Sequence, residues 1–179
     1  MNLIVANIIG GIAFIVTLIA YHRKIKKKIF ENMIIANVLD VIHYLVLGAY
    51  SGFITKVVAL IRNFVIVKKE KFKWLSSKLV LVLFIIIYVI TGYMTYTNIW
   101  SICCILAAII YLIWCWNGNE LQVKKAAFYC YSLWLIYNIS VQSYAGITSN
   151  VVSIISTYIA LMNERKKIKA SNKKKQNRK

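Results

Sequence analysis

The chain has 179 residues, 60% of them hydrophobic, with 23 Lys and Arg against 5 Asp and Glu. A soluble domain is nearer roughly 45–50% apolar, and here the apolar residues gather in runs of about 16–20, the length one helix needs to cross the hydrocarbon. The alternating segments of a membrane β-barrel are missing, so composition excludes soluble and barrel folds and predicts a polytopic bundle of transmembrane helices.

The first predicted helix, 3–21, has no basic residue before it, and the cluster Arg23 to Lys28 follows it. A cleaved signal peptide needs the opposite order, so this helix is expected to be retained, with its N-terminus outside. The second, 29–47, opens near Glu31, which suits the helix dipole, and carries Asp40 and His43. The third, 53–67, carries Lys56 and Arg62; every other Lys and Arg lies outside the apolar runs. The fourth spans 79–94, the fifth 99–116, the sixth 126–141 and the seventh 147–161.

Connections after the first, third and fifth helices, and the tail after the seventh, are basic. Those after the second, fourth and sixth (AYSG, TYTN, QSYAG) carry no charge. Under the positive-inside rule this alternation predicts seven crossings with the C-terminus in the cytoplasm. The basic loops are expected to attract anionic lipid headgroups. No nucleic-acid-binding motif accompanies the charge, so nucleic acid is not an expected partner.

A shift of 94 residues brings Tyr50 onto Tyr144, Gly52 onto Gly146, Val57-Val58 onto Val151-Val152 and Glu70 onto Glu164. The match of YSG with YAG, read as a pair of turns, makes helices one to three the counterparts of five to seven. Helix four is then a linker that lets both halves run in parallel, a plan used by carriers with a solute path between the halves. The expected organisation is a first bundle over 1–70, a linker over 71–97, a second bundle over 98–163 and a basic, disordered tail over 164–179.

Charge in the bilayer core costs at least ~2.5–3.5 kcal/mol per residue on insertion scales, so it is usually paired or functional. At a rise of about 1.5 Å per residue, Asp40 lies about 12 Å and Arg62 about 15 Å below the same boundary, close enough in depth to pair. Lys56, about 6 Å deep, is expected to snorkel outward or to reach Asp40. Asn37, Asp40 and Tyr44 share one face of helix two; Lys56, Ala59 and Asn63 share one on helix three; Asn150, Ser153 and Thr157 take the shifted positions on helix seven. Such faces either lock a bundle or line a passage. His43 is read as a hydrogen-bonded core histidine before a titrating gate.

Trp100, Trp116, Tyr21, Tyr50, Tyr93, Tyr96 and Tyr144 fall near helix ends, where an interfacial belt is expected. Trp134 and Tyr137 lie deeper, beside Asn138, a pairing of aromatic and amide that suits either packing or a stacked solute. Cys103, Cys104, Cys115 and Cys130 lack zinc-site spacing and are read as small buried hydrophobes. No phosphate loop, HExxH or paired catalytic carboxylates occur, so neither an enzyme nor a cofactor is expected.

IIGGIAF (8–14), HYLVLGAY (43–50) with Arg62 twelve residues on, and WLIYN (134–138) together resemble the YgjV-type bacterial inner-membrane proteins over nearly the whole chain. His43, Gly48, Tyr50, Arg62, Trp134 and Asn138 match that pattern, and Asp40 stands outside it. The resemblance implies a multi-pass protein of the bacterial cytoplasmic membrane. It also implies a distant relation to the MtN3/SWEET and PQ-loop group, which includes sugar facilitators and nicotinamide-riboside transporters, and with it two three-helix bundles joined by an inversion helix. The sugar-carrying relatives hinge at helix prolines, and this chain has none.

The reading is therefore a small carrier or facilitator of a polar solute, in one chain or a homo-oligomer. Arg62 with Asp40 or His43 would serve the solute from the first half, and Trp134, Asn138 and Asn150 from the second. The alternative is a membrane interaction or accessory protein whose polar residues only pack the bundle.

Overall fold

The computed structural model describes the backbone of residues 3–21, 23, 25–69 and 71–176, and the side chains in those ranges up to residue 163. Seven α-helices run in the order α1 (Leu3–Tyr21), α2 (Lys26–Leu47), α3 (Tyr50–Lys68), α4 (Lys78–Met94), α5 (Ser101–Trp116), α6 (Glu120–Ser140) and α7 (Tyr144–Gln176), with a 3-10 turn at Lys73–Ser76. No strand occurs among the described residues. Four helices are long and apolar enough to cross a membrane: α1, α2, α3 and the Tyr144–Asn163 part of α7. α4 and α5 are shorter apolar helices.

The expected tail from 164 continues α7 as backbone helix to Gln176, and its side chains lie outside the described residues. So does all of Glu70, one member of the Glu70–Glu164 match.

Helix α1 illustrates how the pattern of residues sets the packing. Ile4, Ile8, Ile12, Ile15 and Ile19 recur at helical spacing and are all exposed, whereas Ala6, Gly10, Ala13 and Ala20 on the opposite side are buried. In water this would be inside out. In lipid it is the expected arrangement: branched apolar side chains meet acyl chains, and small ones let helix backbones approach. The interior is correspondingly polar, with Asn37, His43, Thr55, Arg62, Asn63, Asn138 and Asn150 all buried.

The helices close into a ring. α1 packs on α2, α2 on α3, α3 on α5, α5 on α6, α6 on α7, and α7 back on α1; α4 lies against α3 and α5. The ring encloses the polar interior.

Two predicted turns are differently built. The expected loop AYSG is in fact a short reversal at Gly48-Ala49, and Tyr50–Gly52 already belong to α3. Gly48 takes the left-handed conformation at φ 73°, and the N–H groups of Gly48 and Ala49 donate to the carbonyls of Leu45 and Tyr44. Glycine accepts that φ without the penalty of a Cβ. Likewise QSYAG turns at Gln142, φ 53°, while Tyr144–Gly146 begin α7. The matched YSG and YAG are thus first helical turns. Their glycines provide space: a Cβ on Gly52 would lie 2.9 Å from Tyr44, and one on Gly146 would lie 2.6 Å from Asn138.

Helix α6 begins earlier than its apolar run, because Asn119 and Gln122 form a reciprocal capping box. The Gln122 N–H donates to Asn119 Oδ1 at 3.0 Å, and the Asn119 N–H donates to Gln122 Oε1 at 2.9 Å. A reading by apolar runs starts a helix at its first buried residue; the backbone starts it at the cap.

Candidate functional site

A cavity of about 90 Å³ lies inside the ring. One water needs roughly 10–15 Å³ on this measure, so the space admits several waters or one small solute. All six residues singled out from the sequence, Asp40, His43, Arg62, Trp134, Asn138 and Asn150, stand on its walls.

Asp40 and Arg62 do not pair. Among the described residues the one ion pair is Lys56 with Asp40, Nζ to Oδ2 at 2.6 Å, with both side chains about four-fifths buried (19% and 18% exposed). Lys56 therefore turns inward instead of snorkelling. Its ammonium also sits over the Trp134 ring, 4.6 Å from the centroid, an arrangement in which the ring face attracts the cation. Lys56, in the second turn of α3, reaches Asp40 on the neighbouring α2.

Arg62 is 3% exposed and is held by neutral partners. Nε and Nη2 donate to Asn63 Oδ1 at 3.1 and 2.9 Å, Nη1 reaches the Tyr88 hydroxyl at 3.5 Å, and the guanidinium lies 4.8 Å from the Tyr111 ring centroid. Asn63 thus turns out to anchor the arginine.

His43 has both ring nitrogens engaged: Nδ1 contacts the Ala6 carbonyl at 2.7 Å, and Nε2 the Ser143 hydroxyl at 2.9 Å. A carbonyl only accepts, so Nδ1 carries the proton. Ser143 Oγ also accepts from the Gly146 N–H at 3.2 Å. His43 is accordingly a hydrogen-bonded core histidine at the edge of the cavity, and Gly10 makes room for it: a Cβ there would lie 2.9 Å from Nδ1.

Tyr44 donates to Asn138 Oδ1 at 2.8 Å, and the Gly52 N–H donates to the Tyr137 hydroxyl at 2.8 Å. With His43–Ser143 these bonds join the first three helices to the last three near the α2–α3 and α6–α7 turns. Near the other helix ends, Tyr21 and Tyr111 hydroxyls meet at 3.1 Å, Lys26 donates to the Gly118 carbonyl at 2.6 Å, and Lys69 donates to that of Trp116.

Tyr21 and Trp116 were expected in the interfacial belt. Tyr21 instead lines the cavity, and Trp116 is 2% exposed, packed 6.4 Å from Phe84 and beneath the Lys69 ammonium. Position near a helix end does not say which way a ring points; ring packing decided that. Trp100, Tyr50, Tyr93, Tyr96 and Tyr144 are exposed. Tyr111 was missed as a cavity residue, and no signal within its uniformly apolar run distinguished it. Among the described residues no three His, Cys, Asp or Glu side chains gather as a metal site.

Apolar helices with outward-facing isoleucines around a buried polar interior define an integral membrane protein, in contact with the lipid bilayer. The chain belongs to the Imp-YgjV family of bacterial inner membrane proteins, whose family model matches residues 4–167. It is thus a multi-pass protein of the bacterial inner membrane. No curated protein and no solved structure matches it.

Proposed function

We propose that this chain is a carrier or facilitator of a small polar solute, not an enzyme, and that the solute binds between two three-helix halves, α1–α3 and α5–α7, with α4 as the linker. The observation that carries this reading is the cavity itself. Its walls pair residues of the two halves at the 94-residue shift: Asn37 with Tyr131, Asp40 with Trp134, Tyr44 with Asn138, and Lys56 with Asn150. The packing order supports the same division, since exchanging α1–α3 with α5–α7 maps the six-helix ring onto itself. So do the two glycines, each of which clears space for the residue eight positions before it. With α4 between them the halves run in parallel, the N-terminus outside and the C-terminus in the cytoplasm. A kinship with the MtN3/SWEET and PQ-loop carriers belongs to this proposal.

A seam that only packs helices would satisfy its own polar groups, because buried donors left unpaired are costly. Here the side-chain amide nitrogens of Asn37 and Asn150 and the Tyr131 hydroxyl are buried on the cavity wall without a protein partner, beside three such groups, on Asn63, Trp116 and Ser153, away from it. That favours an interior made for a guest.

One observation favours the other reading, a non-transporting accessory protein: hydrogen bonds join the halves on both sides of the cavity. The two separate in a thermal-shift screen of the detergent-purified protein against sugars, nucleosides, vitamins and amino acids. The carrier reading expects a hit, worth about 1.4 kcal/mol at roughly ten times Kd, that Asn138→Ala abolishes while remaining folded. Silence across the panel at ~10 mM sinks it and leaves the accessory protein, in which Arg62→Ala lowers stability and affects no flux.

A further inference from the structure

Charge on the cavity wall does not balance. Its cations are Lys56 and Arg62, its carboxylate is Asp40, and both ring nitrogens of His43 are taken up by protein partners. Lys56 and Asp40 neutralise one another at 2.6 Å, which leaves the single positive charge of Arg62 facing the cavity. A buried cation is normally compensated, yet the partners of Arg62 are an amide oxygen, a phenol and an aromatic ring.

Unused donors gather on the same wall. Each terminal guanidinium nitrogen carries two N–H groups; one on Nη2 goes to Asn63 and one on Nη1 to Tyr88, so each nitrogen keeps a donor in reserve. The buried amide nitrogens of Asn37 and Asn150 add further donors without protein partners. Between these groups the wall is apolar, with Phe14, Met33, Ala107, Ala108 and the Trp134 ring.

We infer that the solute is a small monocarboxylate, its carboxylate set on Arg62 and its short apolar part against the alanines and Trp134. This rests on the carrier reading and specifies its substrate. The planar guanidinium fork matches a carboxylate in geometry as well as charge. One negative charge cancels the one uncompensated positive charge. A cavity of about 90 Å³ holds several water-sized groups, enough for a short-chain acid, and the apolar stretch of wall distinguishes such an acid from an inorganic anion.

The test is a comparison of isosteres on the purified full-length chain in detergent, at matched ionic strength so that its many surface lysines contribute equally. Acetate, propionate and lactate are titrated against acetamide, propionamide and lactamide, with chloride and phosphate as inorganic arms, and the thermal midpoint is followed. The acids are expected to bind roughly tenfold or more tightly than their amides, and Arg62→Gln to remove that preference. If Arg62→Gln does not fold, Arg62→Lys serves in its place: it keeps the charge, loses the planar fork and is expected to narrow the preference for the acids. Amides binding as well as acids would overturn the carboxylate assignment while leaving a carrier of neutral solutes. Chloride or phosphate acting alone would also overturn it. No response to any small solute, neutral or charged, would overturn this inference and the carrier reading together.

Discussion

The two walls of the cavity share a plan and differ in chemistry. The α2–α3 wall presents Asp40 and Lys56 and, one to two turns deeper, Arg62; at the positions shifted from Asp40 and Lys56, α6–α7 present Trp134 and Asn150. Charge stands on one side, an aromatic face and an amide on the other, and the Lys56 ammonium bridges them by lying over Trp134. Helix geometry settles which positions face inward; the side chain at each settles what that position does. The consequence is a cavity with an electrostatic side and a stacking side.

The largest expected effect comes from breaking the charged wall. Lys56→Met leaves Asp40 buried without its cation and is expected to lower stability by about 3 kcal/mol. Adding Asp40→Asn should restore most of the loss, read as non-additivity in a double-mutant cycle of thermal unfolding. If the double variant is no better than Lys56→Met alone, the pair does not hold that wall together.

The glycines sharpen the comparison. Gly146→Ala places a methyl 2.6 Å from Asn138, whereas Gly52→Ala places one 2.9 Å from Tyr44. Overpacking of this kind costs about 1–3 kcal/mol; the Gly146 variant should suffer more, because its methyl would meet both Asn138 and Ser143 Oγ at 2.6 Å. Gly11→Ala, with nothing within 4 Å of its Cβ, is the control and should be neutral or slightly stabilising. Equal losses at Gly52 and Gly146 would remove the distinction between the walls.

The smallest effect is expected from Tyr44→Phe, which removes the one hydroxyl joining α2 to Asn138 across the two walls. A loss of about 1 kcal/mol in thermal unfolding is anticipated, with Trp134 fluorescence shifted because Tyr44 packs 5.6 Å from that ring. An unchanged midpoint would mean the halves are held elsewhere.

Several of these features were legible without coordinates. The apolar runs marked the helices, since a chain in lipid must satisfy its backbone within each segment. Polar residues at helical spacing marked inward faces: Asn37, Asp40 and Tyr44 line the cavity, while Asn63, Ser153 and Thr157 are buried away from it. Where glycine was taken as a sign of a turn, at Gly52 and Gly146, it instead answered a close approach from another helix. Such an approach leaves no trace in the local pattern.

By itself, then, the sequence determined the environment, the helices and the inward polar faces such as that of Asn37, Asp40 and Tyr44, because periodicity and hydropathy are local properties of a segment. Partner choice was left to the tertiary structure. Arg62 and Lys56 were comparable candidates for Asp40 by depth, and only the packing of α2 on α3 brought Lys56 to 2.6 Å and left Arg62 on Asn63. The same holds for Tyr21 and Trp116, whose rings turned inward where α1 and α5 met their neighbours. Contacts between segments depend on rotation and distance across helices, and no single segment encodes those.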